Sequence, residues 1–437
     1  MDATRIEDLR ARRVWDSRGD PTVEVEISLA GGCHGRAIAP AGASTGRFEA
    51  IERRDGGEAF DGRDVHACLA GLRERIAPAL RGQDVADPAA LDALLEGLDP
   101  TPGFAELGGN ALIATSLAVH AAAAAACGEP LWRWLAATAG QTPRYMPRPE
   151  IQVLGGGAHA AGRLDLQDLM VVPLGAITWS EGLDRVSRIQ RATRRLLEAR
   201  GLFSGYADEG GFWPRFDSND AALELLTAAI EAAGLRPDED AALSIDVAAS
   251  QLAVEGGCRL ALEARTLDPV AWGDWLHALV GRFPIRFLED PFPEDDLAAT
   301  GALHRRLQGR CRIVGDDLVA TSAARIEAAA GHCDAVLIKP NQAGTMTRAA
   351  AALAAARRRA MLAITSARSG ESEDADIVDI AVGWATPMIK VGALARGERT
   401  AKWNRGLRIA EMLGDPPLAA LEDPPAPDPH TLKNATR

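Results

Sequence analysis

The chain has 437 residues and a formal net charge of −13, from 61 acidic and 48 basic side chains, with no basic block. That length is too great for one small core and points to two domains, or to a large barrel with an appended domain. The charge balance leaves no electrostatic footprint for nucleic acid or for anionic lipid, so neither is expected as a partner.

The six cysteines are scattered without a CxxC pair and read as small buried apolar residues of a reducing compartment. The opening MDATRIEDLRARRVW lacks the apolar core of a signal peptide. No stretch reads as an uncharged membrane span. The expectation is a soluble, cytoplasmic protein.

In chain order, Thr22 to Ser28 alternates with period two and predicts a strand. Ala111 to Cys127 predicts a helix, with Asn110 available to cap it and Gly128 to end it. Together they read as an N-terminal α+β domain over residues 1–140. The prolines between Thr142 and Pro149 disfavour helix and mark the change of domain.

Beyond them a helix capped by Ser218 or Asn219, with Leu223, Leu226 and Ile230 on its apolar face, ends at Gly234. Short apolar runs then recur at Ala242–Ile245, Ile285–Leu288, Arg312–Val314, Ala335–Ile338, Met361–Ile364 and Pro387–Ile389. Strands alternating with helices imply a parallel sheet, and this many units imply closure into a barrel over residues 141–415. Residues 416–437, rich in proline and charge, read as a loosely ordered tail.

Each apolar run is followed by a polar residue: Asp246, Glu289, Asp316, Lys339, Arg368 and Lys390. In a parallel barrel these positions converge on one mouth. Three carboxylates there supply the hard oxygen ligands that Mg²⁺ prefers. Any one such acid could merely cap a helix or pair with an arginine, but the series at successive strand ends favours a site. A proton α to a carboxylate is hardly acidic, and the dianionic enediolate left by its removal needs concentrated positive charge. A lysine beside the metal can take that proton once the local field lowers its pKa. Lys339 and Lys390 are the candidates.

These residues carry a family resemblance. Trp15-Asp16-Ser17-Arg18-Gly19-Asp20-Pro21-Thr22, Gly42-Ala43-Ser44-Thr45-Gly46, Asp208-Glu209-Gly210-Gly211-Phe212, Glu289-Asp290-Pro291-Phe292, Gly315-Asp316-Asp317-Leu318, Lys339-Pro340-Asn341-Gln342 and Ser369-Gly370-Glu371 stand in the order found in enolases, and the chain resembles that family over nearly its full length. The resemblance implies an α/β fold, an N-terminal α+β domain followed by a modified (β/α)₈ TIM-type barrel, and a homodimer. The family's sites use a Lys or His base beside one or two Mg²⁺ ions.

Carried over by motif, Asp246, Glu289 and Asp316 bind the first Mg²⁺ and Ser44 helps to hold a second. Lys339 is the base at C2, and Glu209 is the acid that assists loss of the C3 hydroxyl. The acid Asp168 normally works alongside Glu209. His159 and Lys390 contact substrate, with Gln167 and Ala367 beside them, and Arg368 with Ser369 forms a phosphate clamp suited to a guanidinium fork. The acids after Gly370 read as a helix N-terminus.

The sequence departs from the family pattern around the substrate. Ala367 stands where the family has histidine, Asp168 where it has glutamate, Ala41 where it has serine, and Gly155-Gly156-Gly157-Ala158 where it has Asn-Gly-Gly-Ser. Changes gathered at the pocket, with the acids and lysines kept, imply a diverged enzyme for a phosphorylated or phosphonate carboxylate. Among relatives the chain looks most like the carboxyphosphonoenolpyruvate synthases of phosphinothricin-type biosynthesis, which implies a cytidylyl-activated phosphonoformate donor. The alternatives are an ordinary enolase with relaxed motifs and a non-catalytic scaffold. A scaffold has no use for buried charges at a strand-end mouth.

Overall fold

A computed structural model describes residues 3–43 and 46–421. Three antiparallel strands, β1 (Ile6–Trp15), β2 (Pro21–Leu29) and β3 (His34–Ile38), form a meander on which helix Gly109–Ala126 lies. The alanines of that helix let it approach closely. At Gly35 of β3 a Cβ would come within 2.1 Å of the Ala122 nitrogen, so glycine is required there.

Two expectations are corrected at this helix. It begins at Gly109 behind Gly108, not at an Asn110 cap: the Asn110 amide instead accepts from the Arg53 nitrogen at 3.1 Å and donates to its carbonyl at 3.2 Å. The helix is also long and apolar enough to cross a membrane by length and composition. Fifteen of its eighteen residues are buried within the domain, which accounts for its apolar character as core. Of the cysteines, Cys68, Cys258, Cys311 and Cys333 are buried as expected, whereas Cys127 is exposed.

The second unit is a closed eight-stranded barrel. Its first strands, β4 (Arg148–Gly155) and β5 (Asp168–Val172), are joined by a loop holding only the 3-10 turn Gly157–Ala160. Two helices, Trp179–Ala199 and Asn219–Ala232, then follow in succession before β6 (Ala242–Asp246). Without a crossover helix β5 must return antiparallel, so the sheet is not wholly parallel: β5 runs against both β4 and β6, and the other neighbouring pairs are parallel. The remaining barrel strands are Ile285–Glu289, Arg312–Gly315, Ala335–Ile338, Leu362–Ser366 and Met388–Gly392.

The second of the two helices is capped by Ser218, whose hydroxyl accepts from Ala221, while Asn219 is turned inward to donate to Asp165. The start of the proline-rich tail is bound into the fold. Met146 donates to the Pro417 carbonyl at 2.9 Å, Ala419 donates to the Met146 carbonyl at 2.8 Å, and Leu418 is buried.

Candidate active site

The reversal of β5 places Asp168, its first residue, at the same end of the barrel as the last residues of its neighbours. Asp168 stands opposite Asp246, and Asp246 stands opposite Glu289. Lys390, on Met388–Gly392, reaches all three: its Nζ is 2.7 Å from Glu289, 3.4 Å from Asp246 and 3.9 Å from Asp168. Lys339 follows Ala335–Ile338 and sets its Nζ 2.5 Å from Asp316. These six side chains are buried.

One lysine cannot neutralise three carboxylates. Burial and the neighbouring Asp246 push the Glu289 carboxyl well up despite Lys390 at 2.7 Å. Burial would lower Lys390, but Glu289, Asp246 and Asp168 outweigh it and raise it well above its ordinary value. The lysine is the charged partner, shared among more acids than it can serve. Lys339 differs from expectation. Burial lowers its pKa and so do Arg368 and Lys390, but Asp316 outweighs them and the net direction is up. Its use as a base requires that the Asp316 charge be engaged elsewhere.

Across the mouth, His159 meets Asp168 through Nδ1 at 3.0 Å and Glu209 through Nε2 at 4.0 Å. The Gln152 amide also donates to Asp168. Burial would lower the His159 pKa, but Asp168 and Glu209 raise it to about 9. Burial would raise Asp168, but His159, Lys390 and Gln152 hold it down at about 2. Glu209 is raised by burial and by Asp168, which suits a group that must hold a proton to give.

The His159–Asp168 pair therefore stabilises the fold fully between the ordinary carboxylate and imidazole ranges. Its contribution is lost as pH rises through about 9 and as pH falls through about 2. We predict that His159→Gln removes the alkaline loss of thermal stability between roughly pH 6.5 and 9 in chelator-treated protein. An unchanged slope in melting scans against pH would refute this.

The proposed phosphate clamp is not a free fork. Arg368 engages Glu49 of the N-terminal unit at 2.9 and 3.3 Å and Asn341 at 3.0 Å. The Ser369 hydroxyl accepts from the Ala43 nitrogen at 2.6 Å. Both residues thus tie the segment after Leu362–Ser366 to the segment that carries Gly42 and Glu49. Ser44 lies outside the described residues. Gln167 donates to Asp246 at 3.0 Å, and Ala367 presents a methyl to the chamber.

Of the acids after Gly370, Glu371 and Asp374 stand before the helix and are held elsewhere, and only Asp376 opens it. Glu371 accepts from the Arg368 nitrogen and pairs with Lys402 at 3.0 Å, Asp374 pairs with Arg36 at 3.1 Å, and the helix begins only at Asp376. Glycine at 155 is a packing need, because a Cβ there would lie 2.4 Å from that of Ala207.

His159, Gln167, Asp168, Lys339, Ala367 and Arg368 are among the residues lining one chamber. Sequence reasoning missed Glu49, Gln152, Asp290 and Gln342. Asp290 accepts from the nitrogens of Asp316 and Asp317, and Gln342 bridges Glu49 and Asp316. Asp290 and Gln342 lie within the quoted Glu-Asp-Pro-Phe and Lys-Pro-Asn-Gln motifs, one residue from Glu289 and three from Lys339.

Among the described residues, two clusters place three ligand atoms within 4.8 Å of one another: His159, Asp168 and Glu209, and Asp290, Asp316 and Asp317. Of the expected metal triad only Asp316 falls in one of them, and Lys390 engages one oxygen each of Asp246 and Glu289 while Lys339 engages one of Asp316. The donor set nonetheless fits a hard divalent ion. It is all carboxylate oxygen, it outnumbers its lysines, and Glu289 Oε1 is buried without a partner.

A closed barrel with one reversed strand, an N-terminal unit bonded to its mouth and a chamber of acids and lysines define an enzyme of the barrel type. The chain matches the enolase N-terminal domain over residues 6–135 and the enolase C-terminal TIM barrel domain over residues 143–420, and it belongs to the enolase family.

Proposed function

We propose that the protein is a Mg²⁺-dependent enzyme acting on a phosphoglycerate or enolpyruvate skeleton. Its specific reaction, on this reading, places a carboxyphosphono group from cytidylyl-activated phosphonoformate on the enolpyruvate oxygen. The new phosphorus–oxygen bond forms at that oxygen as its bond to the substrate's own phosphoryl group breaks and that group passes to water as inorganic phosphate, and the donor's phosphorus–oxygen bond to cytidine monophosphate breaks to release the nucleotide.

Asp246, Glu289 and Asp316 would hold the ion, with Ser44 for a second. Bound Mg²⁺ supplies positive charge against the substrate carboxylate. Lys339 takes the proton from C2 once Asp316 no longer holds it as an ion pair. Glu209, its carboxyl pushed up by burial and by Asp168, would give a proton to the C3 hydroxyl of a phosphoglycerate skeleton, which leaves as water. Asp168 holds His159 oriented toward the substrate, Gln167 fixes Asp246 beside it, Lys390 meets the carboxylate, and Arg368 with Ser369 meets phosphorus. The family habit extends the proposal to a homodimer.

The observation that carries the finer reading is the chamber wall: Ala367 offers only a methyl between Ser366 and Arg368, while Lys339, Glu209 and Lys390 are all present around the same space. A group larger than the phosphate of 2-phosphoglycerate gains room there and loses no acid or base. The test is turnover of 2-phosphoglycerate with Mg²⁺, followed by the ultraviolet absorbance of the enol ester, beside phosphorus NMR of the reaction with activated phosphonoformate. The expected result is transfer by the wild type, little dehydration of 2-phosphoglycerate, and a gain of about tenfold in dehydration for Ala367→His, the worth of one hydrogen bond to a charged group. Dehydration at ordinary enolase rates without transfer would instead make this a glycolytic-type enolase with a tolerated Ala367.

A further inference from the structure

Beneath the reaction chamber the barrel interior is apolar. Phe287, Val314, Leu337, Ile364 and Met388 belong to one buried cluster, and each stands two positions before a residue of the site: Glu289, Asp316, Lys339, Ser366 and Lys390. Positions two apart on a strand share a face. By the same count Glu150 on β4 and Ser244 on β6, two positions before Gln152 and Asp246, are polar members of that lower layer.

Glu150 is 1 % exposed, and its Oε2 has no hydrogen-bond partner. Ser244 lies near enough to draw the carboxyl down, yet its own hydroxyl is buried without a partner too. Burying a carboxyl in this way is unfavourable, and the apolar layer offers nothing that compensates it. A cation stands opposite: Lys390 pairs in register with Glu150 where Met388–Gly392 runs beside β4. Burial pushes the Glu150 carboxyl up, and the Lys390 ammonium is the largest influence drawing it back. That ammonium is nonetheless engaged by Glu289, Asp246 and Asp168.

Glu289 and Asp246 are two of the three acids assigned to the divalent ion. An ion bound there takes oxygens that Lys390 now holds and repels its ammonium, and a buried ammonium left without a counter-charge is strongly destabilising. The charge of Asp168 is already matched by His159, which meets it at 3.0 Å. Glu150 is the neighbouring carboxyl whose charge nothing else matches.

We propose that Glu150 is a positioning residue for Lys390: it is the reserve carboxylate to which the ammonium turns once a divalent ion holds Asp246 and Glu289. The role rests on the metal-site reading above. An ammonium has three N–H donors, so one given to Glu150 from below leaves the others for the substrate carboxylate.

Calorimetric titration of Mg²⁺ into chelator-treated, full-length protein tests this on the wild type, Glu150→Gln, Lys390→Met and the double variant. Glu150→Gln is expected to bind Mg²⁺ about tenfold or more weakly than the wild type, the worth of one hydrogen bond to a charged group. In the Lys390→Met background the same change should alter the affinity by less than about threefold, because contributions that act through a shared partner vanish with it. Glutamine keeps the shape of the unpartnered acid, so metal-free Glu150→Gln should melt no lower than the wild type. Glu150→Asp, which keeps the charge, should retain more Mg²⁺ affinity than Glu150→Gln.

Unchanged affinity in Glu150→Gln, or the same loss with and without Lys390, would overturn the reserve role and leave the metal site in place. Equal losses in Glu150→Gln and Glu150→Asp would overturn it as well, since shape rather than charge would be at work. Metal-free Glu150→Gln melting well below the wild type would show Glu150 already paired without the ion, with the same consequence. A wild type that takes up no Mg²⁺ would overturn the metal site and the reserve role together.

Discussion

Lys339→Met is expected to slow exchange of the C2 proton of 2-phosphoglycerate with solvent deuterium by about 10³- to 10⁴-fold at saturating Mg²⁺, the range for a lost general base. Methionine keeps the length and apolar stem of lysine, so the change removes the amine and little else. No neighbour can replace it, because Lys390 is held by Glu289, Asp246 and Asp168 and lies beside them rather than beside Asp316.

The variant also frees Asp316 from its ion pair. Mg²⁺ affinity should therefore hold or rise while the rate falls, and the loss should appear in kcat rather than in KM. A parallel fall in Mg²⁺ affinity would mean that Lys339 organises the metal ligands rather than taking the proton. Exchange proceeding near the wild-type rate would remove Lys339 from the base role altogether.

The barrel was legible because its strands are short apolar runs at the spacing of βα units, and each predicted run from Ala242–Ile245 onward lies on or overlaps an observed strand. The reversed β5 was not, since hydrophobicity along a five-residue buried strand carries no sign of its direction. Only the missing crossover helix before Asp168 could have indicated it. The alanine helix was read correctly as a helix and wrongly as capped by Asn110, because the contact that claims that amide comes from Arg53, far away in sequence.

The chamber residues were legible one strand at a time. Their partners were not. Glu49 on Arg368 and Lys390 across three strands are products of closure, and a linear motif has no term for them. The same holds for the Lys339 pKa. The sequence argument invoked the field of a bound ion, whereas the geometry sets the amine against Asp316 and turns the direction upward.

Lys390→Met should produce the largest loss of stability in metal-free protein. Removing one partner of a buried ion pair costs about 3–5 kcal/mol, and here one amine serves Glu289, Asp246 and Asp168 together. Near neutral pH the acids can offset part of that loss only by taking up protons, so the deficit should shrink as pH falls toward the raised Glu289 range. Mg²⁺ bound by the same carboxylates would restore the missing charge, contributing about 2.7 kcal/mol at a hundred times its Kd. In the variant the ion no longer competes with a lysine for Glu289 and Asp246. The rise in melting temperature on adding Mg²⁺ should therefore be larger in Lys390→Met than in the wild type. Equal melting temperatures without the ion, and equal shifts with it, would show that Lys390 neither balances these acids nor shares their oxygens with a metal.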